Sequence, residues 1–384
     1  MISARHLSPA AVTALAVLAL TGCAAAVTSD STGTPTRTAP TTTASPTPSV
    51  HDPLASMTLE QKVAQLFMVG TPVDDVNATT LAAVAEDGVG GLFLHGRSMA
   101  GVDATATLVS QFTDASASSL PLWVATDQEG GTVQVLRGPG FDDIPSALEQ
   151  GAMTPDDLRA SAVTWATQLA QAGITMNLAP VADIVPPQNA AQNPPIGALD
   201  RQYGGDERAV AAGAGAFAAG MRDAGVMPTI KHFPGLGSVT DNTDFSSGVV
   251  DTVVTADGPD VSVYRTLLGE GAAVVMMSTA IYAHIDPDAP AAFSPKAIAL
   301  LRDDLGFTGV ITTDDLSAAA QVSSWSPADR ATKAIDAGVD LLLVSSDPSV
   351  YPAMRDAVLK RAQNDPAFAA KVDDAAHRIA AAKQ

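Results

Sequence analysis

The chain contains a single cysteine, Cys23. That excludes a disulfide framework within one chain and any site built from several thiolates. Cations are also scarce: 21 Lys and Arg stand against 41 Asp and Glu, for a formal net charge of −20. A surface this acidic repels nucleic acid and anionic headgroups, so no nucleic-acid partner is expected. No glycine-rich phosphate loop of the G-x-G-x-x-G or G-x-x-x-x-G-K-[ST] kind follows any candidate strand, which weighs against nucleotide binding. No histidine pair or His/Asp cluster has metal-ligand spacing, so neither a catalytic metal nor a cofactor is expected.

What is present is apolar residue in quantity, 46% of the chain, enough for a large core. Arg5 and His6 precede an apolar run from Ala10 to Leu20, the layout of a secretory signal and too short for a membrane span. The run ends in Leu20-Thr21-Gly22-Cys23, which resembles the bacterial lipobox. The resemblance implies that residues 1–22 are a signal peptide and that Cys23 carries the lipid. The protein would then be anchored on the outer face of the cytoplasmic membrane, touching it through that lipid only. Residues 24–49 are rich in Thr, Ser, Pro and Ala and cannot bury enough apolar surface to offset their conformational entropy. Residues 23–50 therefore read as the lipidated cysteine plus a disordered tether, and 51–384 as one catalytic domain.

In that domain short apolar runs alternate with helical patterns. Candidate strands are Leu66–Gly70, Gly90–Leu94, Leu122–Thr126, Ile174–Leu178, Val226–Ile230, Ala273–Met277, Gly309–Thr313 and Asp340–Val344. Helical segments include Asp103–Ser116, Pro155–Ala172, Glu207–Ala224 and Pro327–Ala337, the last opened by Ser326 as N-cap and Pro327 at the first position. Eight such β/α units in about 330 residues predict an α/β fold, a (β/α)₈ barrel, whose chemistry sits at the C-terminal strand ends. Asp127, Asp183, Lys231 with His232, and Asp314 all fall at or just past such ends. Any one of them alone reads as a loop cap; together on one rim they read as a site.

Lys231-His232-Phe233-Pro234-Gly235-Leu236-Gly237 resembles the K-H-F-P-G-x-G signature of glycoside hydrolase family 3, and within it the single-domain β-N-acetylglucosaminidases. Further pieces agree in order: Met57–Val63, Asp127-Gln128-Glu129-Gly130-Gly131, Asn177–Asp183, Phe293-Ser294-Pro295, and Leu305–Ile311 leading into Thr313-Asp314-Asp315-Leu316. The resemblance implies a retaining exo-glycosidase releasing terminal β-linked N-acetylglucosamine, with Asp314 as nucleophile. Asp127, Arg201, Lys231 and His232 would hold sugar hydroxyls. Asp315, being adjacent, should point elsewhere and serve the structure.

The departures matter as much. The single-domain enzymes carry an Asp and a His, two apart, on a mobile loop after the signature, and the His transfers the proton. The ungapped positions hold Asn242 and Asp244, and Leu236 replaces the usual His of the signature. Three readings stand: Asp244 is the acid/base, with its carboxyl raised by burial or by the charge of Asp314; Asp241 serves after a loop shift; or the acid is missing. Relatives also often carry an Arg where Val135 stands; Arg137, two further on, is the candidate to reach the same or a neighbouring sugar. His95 could line the pocket or be structural, His284 could pack under it, and His377 reads as surface. Of the three tryptophans only Trp325 is placed for sugar stacking. An extracytoplasmic location suggests peptidoglycan fragments as substrate. The rivals are a β-glucosidase-type or phosphorolytic member of the same family, and a catalytically degenerate sugar-binding lipoprotein. The two-domain members take their acid from a later domain, which this chain is not expected to have.

Overall fold

The computed structural model describes residues 54–384; the expected signal peptide, Cys23 and the tether lie outside the described residues. Eight strands make up the central sheet: β1 (Phe67–Pro72), β2 (Gly91–His95), β3 (Trp123–Thr126), β4 (Met176–Asn177), β5 (Met227–Phe233), β6 (Val274–Met277), β7 (Val310–Thr313) and β8 (Leu342–Val344). They are hydrogen-bonded in the order β7-β6-β5-β4-β3-β2-β1-β8, every pair parallel. The seam between β7 and β8 is closed by a parallel bridge from Thr312 to Leu341, with Leu341 N donating to Ile311 O at 3.0 Å and Thr313 N to Leu341 O at 3.1 Å. The result is the expected (β/α)₈ barrel.

The strands were legible as apolar runs because a parallel barrel covers both of their faces. Val69, Leu92, Val124, Val275, Ile311 and Leu342 are all completely buried. β4 is shorter than expected. Pro180 has no N–H to continue the ladder, although Ala179 and Pro180 still accept from Thr229 and Lys231 at 3.0 and 3.1 Å. β5 is longer than expected and runs to Phe233, so Lys231 and His232 lie within its last residues rather than beyond it.

The longer helices are α1 (Leu59–Gln65), α2 (Val102–Thr113), α3 (Pro155–Gln171), α4 (Glu207–Asp223), α5 (Pro259–Gly269), α6 (Pro327–Ala337), α7 (Tyr351–Asn364) and α8 (Pro366–Ala382). The starts of α1, α3, α4, α6 and α8 follow from side-chain caps, each contributing about 1 kcal/mol. Thr154 accepts from Asp157 N at 3.2 Å, Asp206 from Ala209 N at 2.9 Å, and Ser326 from Asp329 N at 3.2 Å. α3 and α4 pack closely enough that a Cβ on Gly220 would stand 2.5 Å from both Arg159 O and the Ala162 methyl. Glycine is therefore required there by proximity. Phe217 on α4 meets Trp165 and Tyr203 at 6.2 and 6.3 Å between ring centroids; truncating it to Ala would cost about 3–5 kcal/mol. These layers hold the strands in register, so the C-terminal strand ends share one rim.

Candidate active site

A cleft of about 640 Å³ opens on that rim. Asp127, Arg201, Lys231, His232, Asp244 and Asp314 all line it, although they come from five different strand ends and loops.

Its floor is a buried cluster of four charges. Glu129, on the short strand that follows β3, takes Arg201 in a bidentate pair, with Nε to Oε2 at 2.8 Å and Nη2 to Oε1 at 2.7 Å. Lys231 Nζ lies 2.6 Å from Asp127 Oδ1 and 2.7 Å from Glu129 Oε1. Arg201 also donates to Pro195 O at 2.6 Å. Burial alone would raise the Glu129 carboxyl, but Arg201 and Lys231 outweigh it and hold it at about 2. The same burial opposes charge on Lys231 and Arg201, and the carboxylates override it, raising both. All three stay ionised at neutral pH. Asp127 is the member with an open edge, its side chain 27% exposed toward the cleft. A floor of this kind presents fixed, charge-assisted partners to hydroxyl groups without any net charge of its own.

His232 stands beside it. Its Nδ1 is 2.7 Å from Asp183 Oδ2, while Asp183 Oδ1 accepts from Leu236 N at 2.7 Å. Asp183 is fully buried behind the ring, not on the rim. With Nδ1 paired to that carboxylate, Nε2 is the ring nitrogen left for the cleft.

The adjacent aspartates after β7 are sorted by their partners. Asp315 accepts from Ser317 N, Ser317 Oγ, Ala318 N and Ser345 N at 2.8, 2.6, 3.0 and 2.9 Å, and so is spent on the turn. Among the described residues Asp314 accepts only from Asp315 N, at 2.8 Å on Oδ1, and its own N donates to Met277 O at 3.0 Å. Its backbone is fixed by β6 and its carboxylate faces the cleft.

Asp244 comes from the loop after β5. Asn242 Oδ1 accepts its N–H at 2.8 Å, and its carbonyl accepts from Ala320 N at 3.1 Å. The carboxyl keeps solvent access across the mouth of the cleft, yet protein atoms surround it closely enough to raise it to about 6. Desolvation is the main cause and the charge of Asp314 the next; Arg201 and His232 oppose them. Asp241 is exposed, pairs locally with Thr240 Oγ1 at 3.3 Å, and is not part of the lining.

Other expectations fall differently. The Arg137 guanidinium is taken up by Asp143 and by Gly131 O, the latter at 2.7 Å, and does not line the cleft. Arg97 does, held by Gly96 O and Thr132 O at 2.7 and 3.0 Å, with no carboxylate partner among the described residues. Sequence reading missed it, although Arg97 stands two residues past the end of β2. His95 turns inward against Phe93 at 6.5 Å, and burial lowers its basicity. His284 bonds Thr252 O at 3.0 Å, and His377 is on the exposed face of α8. Trp325 packs edge-on against Phe293 at 5.4 Å, away from the cleft; the aromatic that lines the mouth is Phe245, 83% exposed.

Residues 58–382 match the family described as glycosyl hydrolase family 3 N terminal domain. A crystal structure of β-N-acetylhexosaminidase from Beutenbergia cavernae DSM 12333 is 58% identical and superposes with a TM-score of 0.85, covering 86% of this chain and 99% of that one. Beta-hexosaminidase LpqI of Mycobacterium tuberculosis is 34% identical over 347 residues, 84% of this chain and 85% of its own length. The Beta-hexosaminidase of Stenotrophomonas maltophilia K279a is 30% identical over 79% of this chain and 90% of its own. With the barrel, the charged floor and the paired carboxylates on one rim, the chain belongs to glycosyl hydrolase family 3.

Proposed function

We propose that this glycoside hydrolase, a β-N-acetylhexosaminidase like its relatives, releases terminal β-linked N-acetylglucosamine by a retaining double displacement on Asp314, with Asp244 as acid and base. The observation that carries the reading is the pair itself. Two carboxyls share one cleft, and burial with the charge of Asp314 raises Asp244 to about 6, so Asp244 is poised to hold a proton. Asp314 attacks the anomeric carbon while Asp244 gives its proton to the glycosidic oxygen, and the aglycone leaves as an alcohol. Asp314 is then an ester and no longer charged. Removing that charge lowers the affinity of Asp244 for a proton, so the same group can accept one from the incoming water. Water adds to the anomeric carbon, Asp314 is freed, and two inversions retain the configuration.

The floor of Asp127, Glu129, Arg201 and Lys231, with His232 beside it, supports recognition of sugar hydroxyls. An ionised Asp244 in the second step would repel inorganic phosphate, which favours hydrolysis over phosphorolysis. The leader and Leu20-Thr21-Gly22-Cys23 support a lipid anchor outside the cytoplasmic membrane, with residues 24–49 as tether. That location favours peptidoglycan fragments as the substrate.

The test is hydrolysis of aryl and alkyl β-glycosides of N-acetylglucosamine and glucose by wild type, Asp314→Ala and Asp244→Ala. The expected result is preference for the N-acetyl sugar, no turnover by Asp314→Ala, and an Asp244→Ala defect concentrated on the alkyl leaving group. Turnover of neither sugar with either leaving group would refute hydrolysis and leave a sugar-binding protein.

A further inference from the structure

The loop that carries Asp244 leaves β5 at Pro234 and re-enters regular structure at Val250–Asp251. A surface excursion of that length is ordinarily mobile, and an acid carried on it would be delivered only part of the time. Here it is tied down next to Asp244 by one short segment, Ala320–Val322, a single 3₁₀ turn just past Asp314 on the same loop. Gln321 N donates to Thr243 O at 3.0 Å, and Ala320 N donates to Asp244 O at 3.1 Å. The Gln321 side chain then makes the bonds of a neighbouring strand: its Oε1 accepts from Val249 N at 2.8 Å, and its Nε2 donates to Val249 O at 3.1 Å. Gln321 is 4% exposed. Its backbone grips the residue before Asp244 and its side chain grips the far limb of the same loop.

We infer that Gln321 is a positioning residue that docks the Asp244 loop onto the Asp314 loop and so sets the separation of the two carboxyls. The inference rests on the proposed acid/base role of Asp244. Glutamine suits the task because its primary amide copies the donor and acceptor of a peptide group, and because it carries no charge into the field between Asp244 and Asp314. The groups facing Asp244 are Asp314 and Asp315 from the loop after β7, Arg201 from the loop after β4, and His232 from β5. Holding the loop down keeps Asp244 within the reach of all four, and in particular near the charge that helps retain its proton.

The experiment compares wild type, Gln321→Leu, Ala320→Pro and Asp244→Ala on an aryl and a methyl β-glycoside of N-acetylglucosamine, with pH profiles and thermal melts. Gln321→Leu removes both side-chain bonds at nearly constant volume. Ala320→Pro removes only the bond to Asp244 O, and Ala319, at φ −58 and ψ 128, already has the extended backbone that a following proline requires. Both variants should lower kcat on the methyl glycoside by roughly 10- to 100-fold, a part of what a general acid contributes. On the aryl glycoside the loss should be no more than about threefold, with KM within about twofold, and the alkaline limb should move to lower pH. If Asp244→Ala is selective for the poor leaving group but both loop variants lose the two substrates equally, or lose neither, docking by Gln321 is overturned and the acid assignment survives. If Asp244→Ala itself shows no such selectivity, the acid assignment falls and the role of Gln321 falls with it.

Discussion

Replacing Glu129 with Gln tests whether the buried charge cluster holds the cleft. Glu129 is 3% exposed and makes two bonds to Arg201 and one contact at 2.7 Å to Lys231. Its carboxyl is held at about 2 against an ordinary 4.5, which corresponds to ~3 kcal/mol of stability at neutral pH. That agrees with the roughly 3–5 kcal/mol lost when one partner is stripped from a buried pair. Because the folded-state carboxyl is depressed, the contribution is complete above about pH 4.5 and is lost as the pH falls through about 2. The wild-type advantage should therefore be full at pH 7 and shrink to about two-fifths at pH 3. At about 2.1 cal/mol/K of unfolding entropy per residue, a domain of this size shifts by roughly 1.5 °C per kcal/mol, so Glu129→Gln should melt roughly 4–7 °C below wild type at pH 7. Calorimetry or near-ultraviolet circular dichroism at both pH values reads the difference. Catalysis should fall with it, since Arg201 and Lys231 lose the group that aims them. A variant that melts within about 2 °C of wild type at pH 7 would refute the claim that these charges organise the floor.

Two more outcomes follow from the same geometry. As the proposed acid, Asp244 enters the first step protonated, and its carboxyl is raised from 3.8 to about 6; with a poor leaving group kcat/KM should therefore fall about tenfold per pH unit above roughly pH 6. Asp244→Ala should abolish that limb, and a limb that persists would assign the acid to another group. Arg97→Ala should raise KM by about three- to tenfold, because the guanidinium lines the cleft. Arg137→Ala should leave kcat/KM within about threefold, because its charge is spent on Asp143 and Gly131. The reverse ranking in steady-state kinetics would return Arg137 to the site.

The barrel was legible in the sequence because strands covered on both faces become unbroken apolar runs, and because caps such as Thr154, Asp206 and Ser326 mark helix starts. The rim residues were legible where a motif abuts a strand end: Asp127 after β3, Lys231 and His232 in β5, Asp314 after β7. Glu129 sits inside the same D-Q-E-G-G turn but gave no sign of its role, since its partner Arg201 lies 72 positions along the chain. Arg137 looked suitable by spacing alone. What spacing cannot show is that its side chain doubles back to Gly131 while Arg97 enters from the loop after β2. Gln321 carried no signal either, because one glutamine in a loop reads as solvated surface until its amide is seen on both sides of Val249.

The altered residues of the catalytic loop make sense as one change. A histidine acid is long, and it can reach the glycosidic oxygen from a loop that swings. An aspartate is shorter by most of a ring, so Asp244, in the proposed acid role, requires its backbone to come closer and stay there. It also has an ordinary affinity for protons that is too low, so it needs protein around it and the charge of Asp314 near it. Both needs are met by one arrangement. The bonds from Ala320 and Gln321 hold the loop beside the segment that carries Asp314, whose charge helps raise the Asp244 carboxyl. Leu236, where the signature usually has a histidine, is 2% exposed among the cleft-lining residues and adds apolar wall rather than a competing base. Asn242, at the position of the dyad's carboxylate, is uncharged and instead caps Asp244 N. A second negative charge there would have raised Asp244 further, and the group would then have been too reluctant to release its proton in the first step. Asn242→Asp should accordingly move the alkaline limb to higher pH and slow hydrolysis of poor leaving groups, the opposite displacement to that expected for Gln321→Leu.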